Sequence, residues 1–323
     1  MSTPDPSISV LMPNYNNGHL IANALESVCT QDYAPIEVLI TDDCSTDNSL
    51  EVIQRYADRY SFVRIVRYPE KSKDWLRKHY EYWRTARGDY VMSLASDDII
   101  YPGLLRKAAE LIRQHPGVGV VFPDIRILFP DYSHFKYVRS GLSEATCLQG
   151  DPVVQQVCKP FISETGSGSI IRKDAIAELL DEPSIYATEH LLDMLAYPIV
   201  AVRHGACYIP EALAGFRFSP GQLSGNILIP EVHFRCCEAA RNFLNLPAIR
   251  KDVPAAVTQS LHSKALCIRP AGVTANFAVR WNRFMLPRVL SQRKFVRWLA
   301  RLTYRGMDKL NDTIQFLRYG LLR

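Results

Sequence analysis

No stretch of the 323-residue sequence holds the roughly 18 uncharged apolar residues that a membrane-spanning helix needs. The nearest run, Leu191 to Val202, is broken by Asp193 and Pro198. The amino terminus, MSTPDPSISVLMP, has no basic segment leading into a long apolar core, so no secretion signal is expected. None of the eight cysteines forms a C-x-x-C pair, and the adjacent Cys236 and Cys237 cannot close an unstrained bridge. Reduced thiols in a cytoplasmic protein are therefore expected. Internal repeats and low-complexity segments are missing too. With 47% hydrophobic residues, 20 Pro and 16 Gly, the composition excludes disorder, collagen and coiled coil, and leaves a chain long enough to bury a full core.

Charge is present but unevenly placed. The whole chain carries +5, yet residues 276–323 hold eleven Lys and Arg against Asp308 and Asp312, leaving a slightly acidic body. A basic tail on such a body implies an anionic partner, either membrane lipid or nucleic acid. Trp281, Phe284, Met285, Trp298 and Leu302 interleave with Arg280, Arg283, Arg293, Arg297 and Arg301, the pattern of an interfacial helix on an anionic leaflet. Packing on the body or a homodimer interface is the alternative use of that tail.

Hydrophobic periodicity sets out the elements. Ile8 to Met12 reads as a strand, followed by a polar loop at residues 14–18 and a helix on Leu20, Ile21, Ala24, Leu25 and Val28. Ile36 to Thr41 repeats the theme and is followed by a helix with Leu50, Ile53, Tyr56 and Ala57 on one face. Phe62 to Val66 and Tyr90 to Leu94 read as strands, and Lys73 to Arg87 and Leu104 to Gln114 as helices. Val118 to Phe122 and Ile125 to Phe129 are two further strands. Helices over Lys173 to Leu180 and Thr188 to Ala196, with strands at Ser169 to Ile171 and Cys207 to Ile209, restore the pattern before a helical region after Pro230. Alternating units of this kind predict an α/β domain with a parallel sheet covered by helices on both faces. Ligands bind such sheets beyond the carboxyl ends of the strands, where the polar clusters at 13–18, 42–47 and 95–98 lie.

Crowded carboxylates at a strand end repel one another and are best tolerated when a hard cation or a ribose hydroxyl takes up their charge. Asp97 and Asp98 are such a pair, and Asp42, Asp43 and Asp47 form a second cluster. Capping of the following helices, by Ser96 or Asp97 and by Ser45 or Asp47, is the structural alternative.

Taken in order, Pro13-x-Tyr15-Asn16, Asp42-Asp43-x-Ser45-Thr46-Asp47 and an acidic pair about 55 residues on resemble the signature of glycosyltransferase family 2. The resemblance covers residues 7–225. It implies a GT-A fold: a Rossmann-like nucleotide-binding domain with a mixed sheet over residues 1–228, followed by a basic helical region over 229–323. It also implies that Pro13, Tyr15 and Asn16 line the nucleotide, that Asp43 accepts a hydrogen bond from the base, and that Asp97 lies near the ribose. Asp98 would be the ligand of a divalent metal, Mn²⁺ or Mg²⁺, on the diphosphate, with Ser96-Asp97-Asp98 standing where the family has D-x-D.

The same resemblance places a general base at a helix start after a G-x-x-x-x-R segment, which Gly166 to Arg172 resembles with one residue more. Glu189 is the choice, with His190 and Asp193 as alternatives. Arg217, in Ala214-Gly215-Phe216-Arg217-Phe218, matches the arginine that closes over the diphosphate. No Q-x-x-R-W segment is present, which favours single transfer over polymerisation. The expected activity is inverting transfer of one sugar from a nucleoside diphosphate sugar, UDP or dTDP favoured, to a glycan or lipid-linked glycan of a bacterial-type surface polysaccharide or lipopolysaccharide. The enzyme would be cytoplasmic, peripheral on the inner membrane, and without nucleic acid as partner. A nucleotidyltransferase would carry a Gly-rich basic loop after the first strand, which residues 12–18 lack. A nucleotide- or membrane-binding adaptor that uses the basic tail is the alternative from another class.

Overall fold

Period-2 alternation along the first strand sorts the molecule into layers. In β1 (Ile8–Asn14), Ile8, Val10 and Met12 join an apolar cluster with Ile21, Leu25 and Val28 of α1 (Ile21–Cys29), Ile53 of α2 (Ser49–Arg59) and Leu104, Leu105 and Ala108 of α4 (Leu104–Gln114). Ser9 and Leu11 are buried on the opposite side of the strand. A central sheet thus separates two layers of helices. The computed structural model describes residues 5–72, 74–128, 134–137, 141–159, 166, 168–217 and 230–267.

The remaining elements follow in chain order: β2 (Glu37–Asp42), β3 (Val63–Arg67), α3 (Trp75–Thr85), β4 (Tyr90–Ser93), β5 (Ile99–Ile100), β6 (Val120–Leu128), β7 (His134–Tyr137), β8 (Thr146–Leu148), α5 (Asp151–Cys158), β9 (Ile170–Arg172) and α6 (Lys173–Leu180). A 3-10 segment (Pro183–Leu191) leads into α7 (Leu192–His204), then come β10 (Ala206–Arg217), α8 (Pro230–Leu244), α9 (Pro247–Arg250) and α10 (Ala255–Cys267). Asp74 caps α3, its carboxylate accepting from the Arg77 N–H at 3.2 Å.

The sheet runs β3-β2-β1-β4-β9-β6-β10-β5, with β7 on β6 and β8 on β10. The strands β3, β2, β1 and β4 are parallel, as alternating units predict. Beyond β4 the sheet becomes mixed, because β9 enters antiparallel to both β4 and β6 while β10 is parallel to β6. A purely parallel sheet is thereby corrected in favour of the mixed one. The chain leaves β1 toward β2 and β3 and returns to its other side at β4. The carboxyl ends of β1 and β4 therefore flank a topological switch point.

On the second face an aromatic ladder runs from Trp83 through Tyr197 and Phe122 to Tyr208. Trp83 and Tyr80 are core residues, whereas Tyr82 is half-buried against Tyr68. Three sequence expectations are corrected here. The strands expected at 118–122 and 125–129 form one strand, β6, since Pro123 and Asp124 keep pairing with β10, which absorbs two register shifts there. The helix expected at Thr188 to Ala196 is a 3-10 turn kinked at Glu189, followed by α7, which passes through Pro198 to His204. Cys147 and Cys207 are joined by a disulfide instead of remaining thiols, because the antiparallel β8 and β10 set them directly opposite each other.

The compact unit extends to Leu266, and within it α8 packs against the 3-10 segment. The basic tail of residues 276–323, with its expected membrane or dimer contacts, lies outside the described residues, and no described helix is long and apolar enough to cross a membrane.

Two buried titratable groups brace the sheet. Glu37, fully buried, accepts from Ser9 Oγ at 2.8 Å, the Arg87 N–H at 2.5 Å, and Arg64 and Arg87 guanidinium groups at 3.0 and 3.3 Å. Burial raises its pKa, but these donors outweigh burial and hold it below the usual value of 4.5. His79 accepts the Trp83 indole N–H at 3.3 Å through Nε2, which also faces Ser93 Oγ at 3.2 Å. Burial pushes its pKa from 6.5 to about 4.

Both folded values are depressed, so both groups stabilise the fold above their unfolded pKa and lose that contribution as pH falls. His79 acts between pH 6.5 and about 4, and Glu37 from 4.5 downward. The stability gap between wild type and His79→Gln, measured by urea unfolding, should shrink by about 1.4 kcal/mol per unit as pH falls from 6.5 toward 5. A gap that does not change with pH over that range would refute this assignment.

Candidate active site

The carboxyl ends of β1 and β2 are tied together by one buried carboxylate. Asp42, without solvent exposure, accepts from Asn14 Nδ2 at 2.8 Å and from Ser45 Oγ at 2.6 Å on Oδ2, and from the Ser45 N–H at 2.9 Å on Oδ1. Ser45 Oγ in turn accepts the Asn16 N–H at 2.9 Å, and Asn16 Oδ1 accepts the Thr46 N–H at 2.8 Å. These bonds hold Asn16 and Cys44 at positive φ, 51° and 64°, a conformation that costs a non-glycine residue energy unless its surroundings fix it. Pro13, Tyr15 and Asn16 are thus presented beside Asp43. The acidic cluster divides its work: Asp42 is structural, and Asp47 accepts the Ser49 N–H at 3.0 Å and the Gly18 N–H at 2.8 Å. Asp47 thus tethers the start of α2, whose N-cap is Asn48 without a side-chain bond. Gly18 lets the loop pass close to α2, since a Cβ would lie 2.9 Å from the Ser49 backbone nitrogen.

Asp43 is half-buried, and its Oδ1 accepts the Ser72 N–H at 2.7 Å, which brings the segment after β3 to the site. Next to Ser72, the Lys71 ammonium lies 3.9 Å from the centre of the Tyr15 ring. Tyr15 is 40% exposed, so its ring offers an aromatic face at the mouth of the cleft.

The other side of the switch point is closed by two long-range contacts. Asn17 Nδ2 donates to Ser96 Oγ at 2.8 Å, joining the β1 loop to the β4 loop. Ser96 therefore does not cap α4, whose N-cap is Gly103 without a side-chain bond. Arg217, at the end of β10, donates its N–H to Asp98 Oδ1 at 2.8 Å and its Nε–H to the Asp97 carbonyl at 2.8 Å. Arg217 and the acidic pair, separated by some 120 residues, thus form one cluster. Asp98 is buried and Asp97 half-buried.

Among the described residues no three His, Cys, Asp or Glu side chains gather into an all-protein metal cage. A divalent cation that comes with a diphosphate needs only one or two carboxylates besides phosphate oxygens and water, and Asp97 with Asp98 supplies hard oxygen donors of that kind. The donor set therefore fits a nucleotide-borne Mg²⁺ or Mn²⁺.

Three candidates for the general base lie around the junction of the 3-10 segment and α7. Glu189 has φ 43° and ψ −110°, an unusual backbone conformation that costs about 1–3 kcal/mol. Its Oε1 accepts from Arg235 Nη2 of α8 at 2.8 Å. His190 is half-buried, and burial, opposed by Glu189 and aided by Arg235, holds its pKa below 6.5. Asp193 has both oxygens engaged, Oδ2 by the Gly166 N–H at 2.9 Å and Oδ1 by the Met194 N–H at 2.8 Å. It fastens the G-x-x-x-x-R segment to α7. Gly168 of that segment has φ +67°, and a Cβ there would meet the Ala214 side chain of β10 at 2.2 Å.

Sequence reading passed over Asn14, Ser72, Lys71 and Arg235. Asn14 carried a signal, an amide at the carboxyl end of an otherwise apolar strand. Arg235 carried none, because α8 reaches Glu189 across 46 residues of chain.

Residues 9–179 match Glycosyl transferase family 2. The putative glycosyltransferase EpsE of Bacillus subtilis is 32% identical over 117 residues, 36% of this chain and 42% of that protein. The poly(ribitol-phosphate) beta-N-acetylglucosaminyltransferase TarS of Staphylococcus aureus is 30% identical over 109 residues, 33% of this chain and 19% of that protein. The chain thus spans less than half the length of these curated relatives. The structure of S. aureus TarS 1–349 with UDP-GlcNAc superimposes with a TM-score of 0.62 at 18% identity, covering 83% of this chain and 75% of that one. A mannosyltransferase of Pyrobaculum calidifontis in complex with GDP-Man and Mn²⁺ superimposes with 0.52 at 18% identity, covering 94% and 82%. These likenesses agree with a GT-A fold.

Asp42→Asn replaces an acceptor of three donors by a group that must turn one N–H toward them. It should lower stability by about 2–3 kcal/mol in urea unfolding. An unchanged midpoint would show that the Asn14 and Ser45 bonds do not hold the loop.

Proposed function

The chain belongs to glycosyltransferase family 2, and we propose that it transfers one sugar, with inversion, from a nucleoside diphosphate sugar to a glycan or lipid-linked glycan acceptor. The observation that carries this reading is the Arg217 to Asp97-Asp98 cluster at the switch point, in the loop that Asn17 and Ser96 join to the β1 loop. Tyr15, Pro13 and Asn16 hold the base, whose imide N–H donates to Asp43. Asp97 orients the ribose. Asp98, with Asp97 beside it, would hold the divalent cation, which when bound offsets phosphate charge and acts as a Lewis acid for the departing diphosphate. Arg217, fixed through its backbone N–H and Nε, directs its guanidinium to phosphate oxygens.

Glu189 takes the proton from the acceptor hydroxyl as it attacks the anomeric carbon from the face opposite the nucleotide. Its partial exposure favours it over Asp193, both of whose oxygens are engaged within the fold. Structural relatives with UDP-GlcNAc and GDP-Man bound support a nucleotide sugar as donor, and UDP or dTDP remains the favoured class here. The acceptor is proposed to be a surface polysaccharide or lipopolysaccharide intermediate at the cytoplasmic face of the membrane, with the basic tail holding the enzyme there.

Calorimetric titration with UDP, dTDP, GDP and CMP, each with and without Mn²⁺, tests the donor site. One nucleotide should bind in a Mn²⁺-dependent way, and Asp98→Asn should weaken it by about tenfold or more. Absence of binding to any nucleotide by folded protein would favour a binding adaptor that uses the tail. Once a donor is identified, Glu189→Gln should lower kcat by about 10²–10⁴-fold, whereas Asp193→Asn should chiefly lower Tm. The reverse pattern would move the base to Asp193.

A further inference from the structure

The corner that carries Glu189 is set between buried anchors. Thr188, Leu191 and Leu192 are all but inaccessible, and the Thr188 hydroxyl donates to the Ile185 carbonyl at 2.5 Å. Glu189 and His190 form a two-residue knuckle between them, with Glu189 in left-handed φ. Such a conformation persists only where surrounding contacts impose it, and residues held this way are often functional.

The contacts come from α8, which lies beyond the 9–179 family match. Two successive residues of α8 grip the knuckle. Arg235 meets the Glu189 carboxylate at 2.8 Å, and Cys236 is fully buried beside the His190 backbone, which opposes the rise that burial gives its thiol pKa. The ion pair is partly exposed, with side-chain exposures of 59% for Arg235 and 36% for Glu189, so it contributes little to global stability. What it does fix is direction: a guanidinium bond on Oε1 leaves the carboxylate one preferred orientation.

From this we infer that Arg235 is a positioning residue for sugar transfer, and that α8 is the clamp that aims the Glu189 carboxylate at the acceptor hydroxyl. This rests on the reading of Glu189 as the general base. Arg235 touches neither donor nor acceptor; it acts through Glu189, and a misplaced base loses rate without losing donor affinity. Lysine can restore the charge but not the planar fork, so its rescue is partial.

The test compares wild type, Arg235→Ala, Arg235→Lys and Glu189→Gln in the full-length chain. UDP and GDP with Mn²⁺ serve as binding probes, and UDP-GlcNAc, UDP-glucose, dTDP-rhamnose and GDP-mannose as donors. Arg235→Ala should bind nucleotide as wild type does and keep its donor KM, while kcat falls about tenfold or more, with Arg235→Lys between the two. Amide exchange over residues 186–194, read by mass spectrometry on the nucleotide-loaded protein, should speed up in Arg235→Ala and much less in Arg235→Lys. Wild-type kcat in Arg235→Ala beside an inactive Glu189→Gln would overturn the clamp and leave the base standing. Full activity in Glu189→Gln would overturn the base reading itself. Should none of these donors turn over, unchanged exchange in Arg235→Ala would by itself overturn the clamp.

Discussion

A carboxylate with no access to water sits where the first two strands end, and the site is built outward from it. Asp42 would be costly to bury alone, and its three donors, two from side chains and one from the backbone of its own loop, make it affordable only in one arrangement of the β1 and β2 loops. That arrangement imposes positive φ on Asn16 and Cys44 and sets Tyr15 beside Asp43. Through Gly18 and Asp47 it also fixes the start of α2. Asp42 is thus the brace that fixes how its neighbour Asp43 is presented.

The candidate site is assembled by two different physical means. The loops after β1, β2 and β4 come from consecutive strand-loop-helix units, whose polar residues fall at strand ends because a parallel sheet leaves them nowhere else. Arg217 depends on the chain's return: β10 runs back through the sheet and delivers it to Asp97 and Asp98. Glu189 depends on return once more, since α8 comes back to hold it.

The family match ends at residue 179, before the 3-10 segment, β10 and α8. Tyr15, Asp43, Asp97 and Asp98 lie within it, and Glu189, Arg217 and Arg235 lie beyond. Relatives share about a third of this chain.

Much of the architecture was legible in the sequence. Strand-loop-helix order and the buried faces of α1, α2 and α4 follow from period-2 and period-3.6 patterns, which are local properties. The same periodicity put Asp43, Asp97 and Asp98 at strand ends. Only the tertiary structure decided that Asp42 is a brace, that β9 reverses the sheet, that Cys147 and Cys207 are bonded across 60 residues, and that Arg235 meets Glu189. Each of these depends on which strand or helix comes to lie beside which. Such neighbours are chosen by the burial of whole faces, and they leave no periodic trace in the residues that finally touch.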